Sequence, residues 1–319
     1  MKFPHLAGLL LFTLLSLSAR AETAIVLNSV DENISFIDTQ TYKETGRAPA
    51  CKEPHHLMAT PDDSSVIVAC AISNELVFFD AKTGKEQKRI KNISDPYQLG
   101  FSPDNKWFVA NSLRLDRVDI YKAADFTLVA RVPAASTPSH MAFDKASQFV
   151  FITLQDSNEV LAIDLKTQQP LWKVPVGPTP AGIHMTPDDK YLLVGIMGAN
   201  YVEVIDWRAR KTIKKIITDK AAHNFLPRGD GRHVFVSNRT VQGSISLVDM
   251  KTLTEVEKYE VPGGPDDMEI RADGKELWAT ARFARKVQVV DLDQKKLARS
   301  IPVGRSPHGV SFINHAGRQ

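Results

Sequence analysis

The sequence predicts an all-β chain folded as a seven-bladed β-propeller, with four antiparallel strands in each blade. Two markers sharing one period, and a strand-and-turn text repeated between them, lead to that fold. Pro54, Pro96, Pro138, Pro180, Pro265 and Pro307 follow one another at intervals of 42, 42, 42, 85 and 42 residues. The long interval holds two repeats, with Ala222 where a proline is missing. Asp38, Asp80, Asp164, Asp206, Asp249 and Asp291 keep the same spacing, and Lys122 stands at the one position that breaks it. Self-similarity at a period of about 40–50 residues is the mark that propeller blades leave in a sequence.

Each element of a repeat has a local reason. After the proline comes a short apolar strand, as in Leu99-Gly100-Phe101 or Met141-Ala142-Phe143. A turn follows, as in Thr60-Pro61-Asp62-Asp63 or Ser102-Pro103-Asp104-Asn105, where proline presets φ and Asp or Asn supplies side-chain hydrogen bonds. Next stands a continuously apolar strand such as His233-Val234-Phe235-Val236-Ser237-Asn238, which predicts burial on both faces. A third strand ends on the marker aspartate, whose carboxylate can cap the next turn. The fourth strand carries Lys, Thr and Glu, as an outer edge should.

The chain ends predict how the ring closes. The last repeat supplies only a first strand, His308 to Ile313. The chain after its leader opens directly with a second strand, Ala24 to Asn28, followed by a third that ends at Asp38. One blade is therefore expected to draw on both termini. The turn-and-strand units, such as Ser102-Pro103-Asp104-Asn105-Lys106-Trp107-Phe108-Val109-Ala110-Asn111-Ser112, resemble the YVTN β-propeller repeat family over essentially the whole chain after residue 21. That resemblance implies the fold and leaves the function open.

In a propeller the first strand of every blade lines the central channel, so equivalent repeat positions become neighbours around a ring. One position after the marker stand His55, Tyr97, Ser139, Ala181, His223, Asp266 and His308. Two positions after stand His56, Gln98, His140, Gly182, Asn224, Asp267 and Gly309. Of nine histidines in the sequence, five fall on these two slots: His55, His56, His140, His223 and His308. That enrichment is the sharpest functional signal in the chain. The loop after the second strand should bring Arg114, Arg239 and Arg282 to the same face. Imidazole, carboxylate and guanidinium at one channel mouth could hold a transition metal, a haem-like cofactor or an anionic small molecule. They could equally serve only to satisfy backbone groups and water. Asp266, Asp267, Arg239 and Arg282 are the candidate ligand-binding residues, and the five histidines are the candidate metal ligands. His184 and Glu269 share a slot deeper in the channel and read as internal hydrogen-bonding groups.

Cys51 and Cys70 belong to one blade and should lie toward the same end. In an oxidising compartment such a pair reads as a disulfide; the alternative is a thiolate pair that joins His55 and His56 around a soft metal. No Cys-x-x-Cys-His, Gly-x-Ser-x-Gly or phosphate-binding glycine loop occurs.

Three functions fit these residues. The first is a non-catalytic, monomeric propeller that holds a small molecule, a metal or a protein partner at the histidine-bearing mouth. The second is a redox or cofactor protein using Cu or Zn, or, with less support, haem d1. Propellers that this one resembles occur in haem d1 proteins of denitrification and in nitrous oxide reductase, although the cupredoxin domain of the latter is missing here. The third is a lactonase or cycloisomerase, since propellers of that kind use His, Glu and Arg on the channel face.

The formal charge of +3 falls to +1 without Lys2 and Arg20, so the surface offers no electrostatic case for nucleic acid. Residues 1–21 carry a positive n-region at Lys2, an apolar run from Leu6 to Leu15 and a small-x-small site at Ala19-Arg20-Ala21. This is the anatomy of a cleaved secretory signal. It predicts a periplasmic protein whose domain is residues 22–319 and which keeps no membrane span. The exported protein is expected to begin at Glu22. N-terminal sequencing that finds residues 1–21 still attached would overturn this.

Overall fold

The computed structural model describes residues 22–312 and 314–317; the leader read over residues 1–21 lies outside them. Seven four-stranded antiparallel sheets form a closed propeller. Helical structure among the described residues is limited to one 3-10 turn, Leu113–Leu115. The inner strands are Pro307–Ser311 of blade 1, Pro54–Ala59 of blade 2, Pro96–Phe101 of blade 3 and Pro138–Phe143 of blade 4. Pro180–Met185, Ala222–Pro227 and Pro265–Ile270 complete the ring in blades 5, 6 and 7. Each packs against the inner strand of the next blade, and the ring closes where blade 7 meets blade 1 and blade 1 meets blade 2.

Blade-to-blade packing is the core. Each apolar cluster spans one interface between adjacent blades, as where Ala24, Val26 and Ile37 of blade 1 meet Trp278, Val287, Val289 and Ile301 of blade 7. Second and third strands are covered by a neighbour on each face, so they are apolar without alternation; Ser65–Cys70 is buried at every residue. The fourth strands alternate between solvent and protein or stay exposed, as in Glu86–Lys91.

The turns follow the sequence reading. Asp38 Oδ1 accepts from the backbone N–H of Gln40 and Thr41, and Asp80 Oδ1 from Lys82 and Thr83. Where Lys122 interrupts the series, Asp125 takes over inside the turn and accepts from Thr127 at 2.9 Å. The same slot in every one of these turns is left-handed: Tyr42, Gly84, Phe126, Gln168, Arg210, Leu253 and Lys295 all have φ between 55 and 65°. Backbone geometry is thus held by the aspartate cap and the ladder, whatever side chain fills the slot.

Blade 1 is assembled from both termini in the order Pro307–Ser311, Thr23–Asn28, Asn33–Asp38, Lys43–Pro49. Beyond the closing strand the tail continues the clasp. Ala316 N donates to Ile270 O at 2.8 Å, and Asn314 N to the Glu22 carboxylate at 2.6 Å. Cys51 and Cys70 are joined in a disulfide, so they do not form the alternative thiolate pair beside His55 and His56. Closing a loop of 19 residues contributes about 3 kcal/mol on a chain-entropy account.

Removing residues 308–319 takes Val310 and Phe312 from the interface between blades 7 and 1, each worth about 1.5–3 kcal/mol of burial, and leaves Thr23–Asn28 unpaired on one edge. The truncated protein should melt roughly 10 °C or more below the full chain. A difference within a degree or two in a thermal scan would show that ring closure is not what stabilises the fold.

Candidate functional site

The site is made by a defect in pairing that recurs in every blade. Each inner strand pairs with its neighbour at the marker position, loses register over the next two residues, and resumes at the third. The breaks fall between Pro54 and Leu57, Pro138 and Met141, Ala222 and Phe225, and Pro265 and Met268, with equivalents in the other blades. A bulge releases residues from the ladder and re-aims their side chains. The two released positions are the ones that carry the histidines and aspartates.

Buried hydroxyls hold these bulges in place. Thr153 Oγ1 accepts from His140 N at 3.0 Å and donates to Ala181 O of the next blade at 2.6 Å. Ser237 Oγ accepts from Asn224 N and donates to Asp266 O; Thr280 Oγ1 accepts from Asp267 N and donates to His308 O. These three residues were missed in the sequence. Their signal is a hydroxyl at one slot near the end of a strand that is otherwise apolar. Gly182 is required for a related reason: a Cβ there would lie 2.1 Å from His223 O.

The structure brings His55, His56, His140, His223, His308 and Asp266 into one buried cluster, with no member more than 7% exposed. Ring centroids are separated by 3.9 Å for His55 and His308, 4.8 Å for His56 and His308, 5.4 Å for His56 and His140, and 5.2 Å for His140 and His223. The ring nitrogens of His55, His56 and His308 include a ligand atom from each residue, all within 4.8 Å of one another. Tyr97 packs on His55 at 4.0 Å.

Hydrogen bonds fix two tautomers. His308 Nδ1 lies against His55 O, and because a carbonyl only accepts, the proton is on Nδ1 and Nε2 carries a lone pair. His56 Nδ1 lies 2.8 Å from Tyr97 O, with the same consequence. Asp266 sits between two rings, Oδ1 at 3.0 Å from His223 Nδ1 and Oδ2 at 3.3 Å from His308 Nε2. Neither contact is aligned as a hydrogen bond. Those two nitrogens and His140 Nε2 are buried without a hydrogen-bond partner among the described residues.

Arg282 Nη1 reaches Asp266 Oδ2 at 3.2 Å, and Arg239 Nη1 lies 3.4 Å from both carboxylate oxygens. Burial pushes all five imidazoles below their usual range, His308 to about 4 against the pull of Asp266. Burial opposes ionisation of Asp266, but His308, His223 and Arg239 outweigh it and hold the carboxyl well below the usual carboxylate range. The mouth therefore presents neutral imidazoles around one carboxylate backed by two guanidiniums.

Two expected members lie elsewhere. Asp267 does not join the cluster. It accepts from Met268 N at 2.9 Å and Asn224 Nδ2 at 3.3 Å, and it lines a cavity of about 190 Å³ with His56, Gln98, Asn224 and Glu269. Burial raises its carboxyl to about 8. Asp267 lies in the bulged stretch between Pro265 and Met268, where regular strand alternation is broken, and its side chain turns to Asn224 and the cavity instead of to the imidazoles. Arg114 is committed to Asp95 and Glu53.

His184 stacks on Phe225, 6.2 Å between centroids, and protein surrounding it lowers its imidazole to about 4. A lowered folded-state value means the stabilising preference for neutral His184 is present above about pH 6.5 and is lost as pH falls toward 4. The His184→Gln variant should lose stability less steeply than the parent across that window. Parallel acid-melting curves for the two proteins would refute it.

No curated protein matches the chain. Solved structures do. A functionally unknown protein from Desulfotomaculum acetoxidans DSM 771 aligns with a TM-score of 0.79 at 14% identity, covering 94% of this chain and 100% of that one. Hydrazine synthase of Kuenenia stuttgartiensis gives 0.68 at 16%, covering 80% and 88%. The dihydro-heme d1 dehydrogenase NirN in complex with DHE gives 0.67 at 14%, covering 92% and 75%. At these identities the likeness shows the fold alone. The family model for YNCE-like beta-propellers matches residues 8–318, and with the seven blades just described the chain belongs to the YNCE-like β-propeller family.

Proposed function

We propose that this chain is a periplasmic binding propeller whose ligand is a transition-metal ion, held at the channel mouth by His56, His308, His55 and Asp266. One observation carries the reading. His308 has its Nδ1 proton committed to a carbonyl, so Nε2 is an acceptor 3.3 Å from the Asp266 carboxylate in a buried site. Two acceptors held that close repel, and a cation bound by both removes the conflict. A nitrogen and an oxygen that ligate one ion at about 2.0–2.2 Å are separated by such a distance.

Further support comes from cost. A buried polar atom without a hydrogen-bond partner is unfavourable by about 1–3 kcal/mol, and among the described residues the mouth gathers three of them. Imidazole with carboxylate suits Zn(II) and Cu(II). The compartment rests on the leader sequence, and the disulfide agrees with an oxidising one.

Protein purified without its leader should bind Zn(II) or Cu(II) with a Kd below about 1 µM in calorimetry. The His140→Ala/His223→Ala/His308→Ala variant should keep its circular dichroism spectrum and bind about 100-fold more weakly. A parent protein that binds neither ion, or a variant that binds as tightly, would sink the reading.

A further inference from the structure

We propose, resting on the metal reading above, that the ion is bound together with a small oxyanion or carboxylate, clamped by Arg239 and Arg282. The argument begins with charge. A divalent ion beside two guanidiniums places four positive charges against the single negative charge of Asp266. A buried excess of that size is unfavourable, because little water remains to screen it. An anion that bridges the ion and the guanidiniums reduces the excess and lets metal and arginines share the mouth.

The side chains are layered for such a ligand. His223, His308 and Asp266 form the inner layer, each with a side chain 2% exposed. Arg239 and Arg282 form the outer layer, with side chains 17% and 28% exposed. A ligand arriving from solvent meets guanidinium first and the imidazole cluster second.

Both arginines also keep donors in reserve. Arg239 uses Nη1 on Asp266 and Nη2 on the Met197 sulfur, and its Nε has no partner among the described residues. Arg282 uses Nε on Ser306 Oγ at 3.0 Å and Nη1 on Asp266, which leaves Nη2 free among the described residues. A guanidinium edge is matched to the paired oxygens of a carboxylate or oxyanion. Close ring packing below, with His55 and His308 centroids 3.9 Å apart, restricts the anion to a few atoms.

Cobalt(II) and formate test this directly, because cobalt bound by imidazole has a visible spectrum that reports a new ligand. Formate added to the cobalt-loaded protein should shift that spectrum, and formate should bind the loaded protein at least about tenfold more tightly than the metal-free protein. In the Arg239→Gln/Arg282→Gln variant, formate affinity should fall at least about tenfold more than any change in cobalt affinity. Arg239→Lys keeps the charge and loses the fork, and should give an intermediate result if the pair variant is poorly folded. Cobalt uptake with no response to formate overturns the anion proposal alone. Equal formate binding by parent and arginine variants also overturns it. A parent that takes up no cobalt overturns both this proposal and the metal reading.

Discussion

Every blade of this propeller has two apolar faces, and burying both of them is the constraint on which the rest depends. A sheet with second and third strands as apolar as Ser65–Cys70 and Glu75–Asp80 cannot stand at the end of an open row without exposing one face. The ring must therefore close, and it closes through a blade built from both chain ends. A strand at one terminus then stabilises packing contributed by residues some 280 positions away, such as Ile25 paired with Ser311. The clasp formed by Asn314 and Ala316 extends that logic to the neighbouring blade.

Closure creates a narrow channel, and the channel creates the chemistry. Seven inner strands converge at one end, where their register breaks turn two residues per blade out of regular pairing. Those residues have no ladder to join and little water to face. Apolar side chains would fill the mouth and stay silent; histidines and Asp266 make it a polar cluster with internal charge. Thr153, Ser237 and Thr280 satisfy backbone groups that the bulges release, while His308 and His56 take up the carbonyls of His55 and Tyr97 through Nδ1. Three further ring nitrogens have no hydrogen-bond partner among the described residues, where burial makes that expensive.

Asp266 organises the cluster electrostatically. Among the described residues it is the one carboxylate paired with His223, His308, Arg239 and Arg282, and with the imidazoles neutral its charge is balanced by the two guanidiniums. Its sequence neighbour Asp267 has the opposite fate, being raised to about 8 in a cavity that lacks such cations. Two adjacent acids are thus set to different protonation states by the different surroundings into which the bulge turns their side chains.

The periodic prolines and aspartates, together with the order of strands at the two ends, were enough to determine the number of blades and the blade shared between the termini. Such features are local and repeated, so period alone maps them onto space. The histidine slots were legible for the same reason, because equivalent positions of a closed ring must be neighbours. What the chain could not reveal by itself was direction and distance within the mouth. Asp267 was grouped with Asp266 since both follow the marker, and only the way the bulge turns each side chain separates them. Arg114 shares its loop with no nearby histidine contact because Asp95 and Glu53 claim it first. The tautomers of His56 and His308 depend on carbonyls of Tyr97 and His55, contacts made across blades. Period places residues on a ring; tertiary packing decides which atoms face one another, since that depends on bulges and side-chain directions that no repeat unit encodes alone.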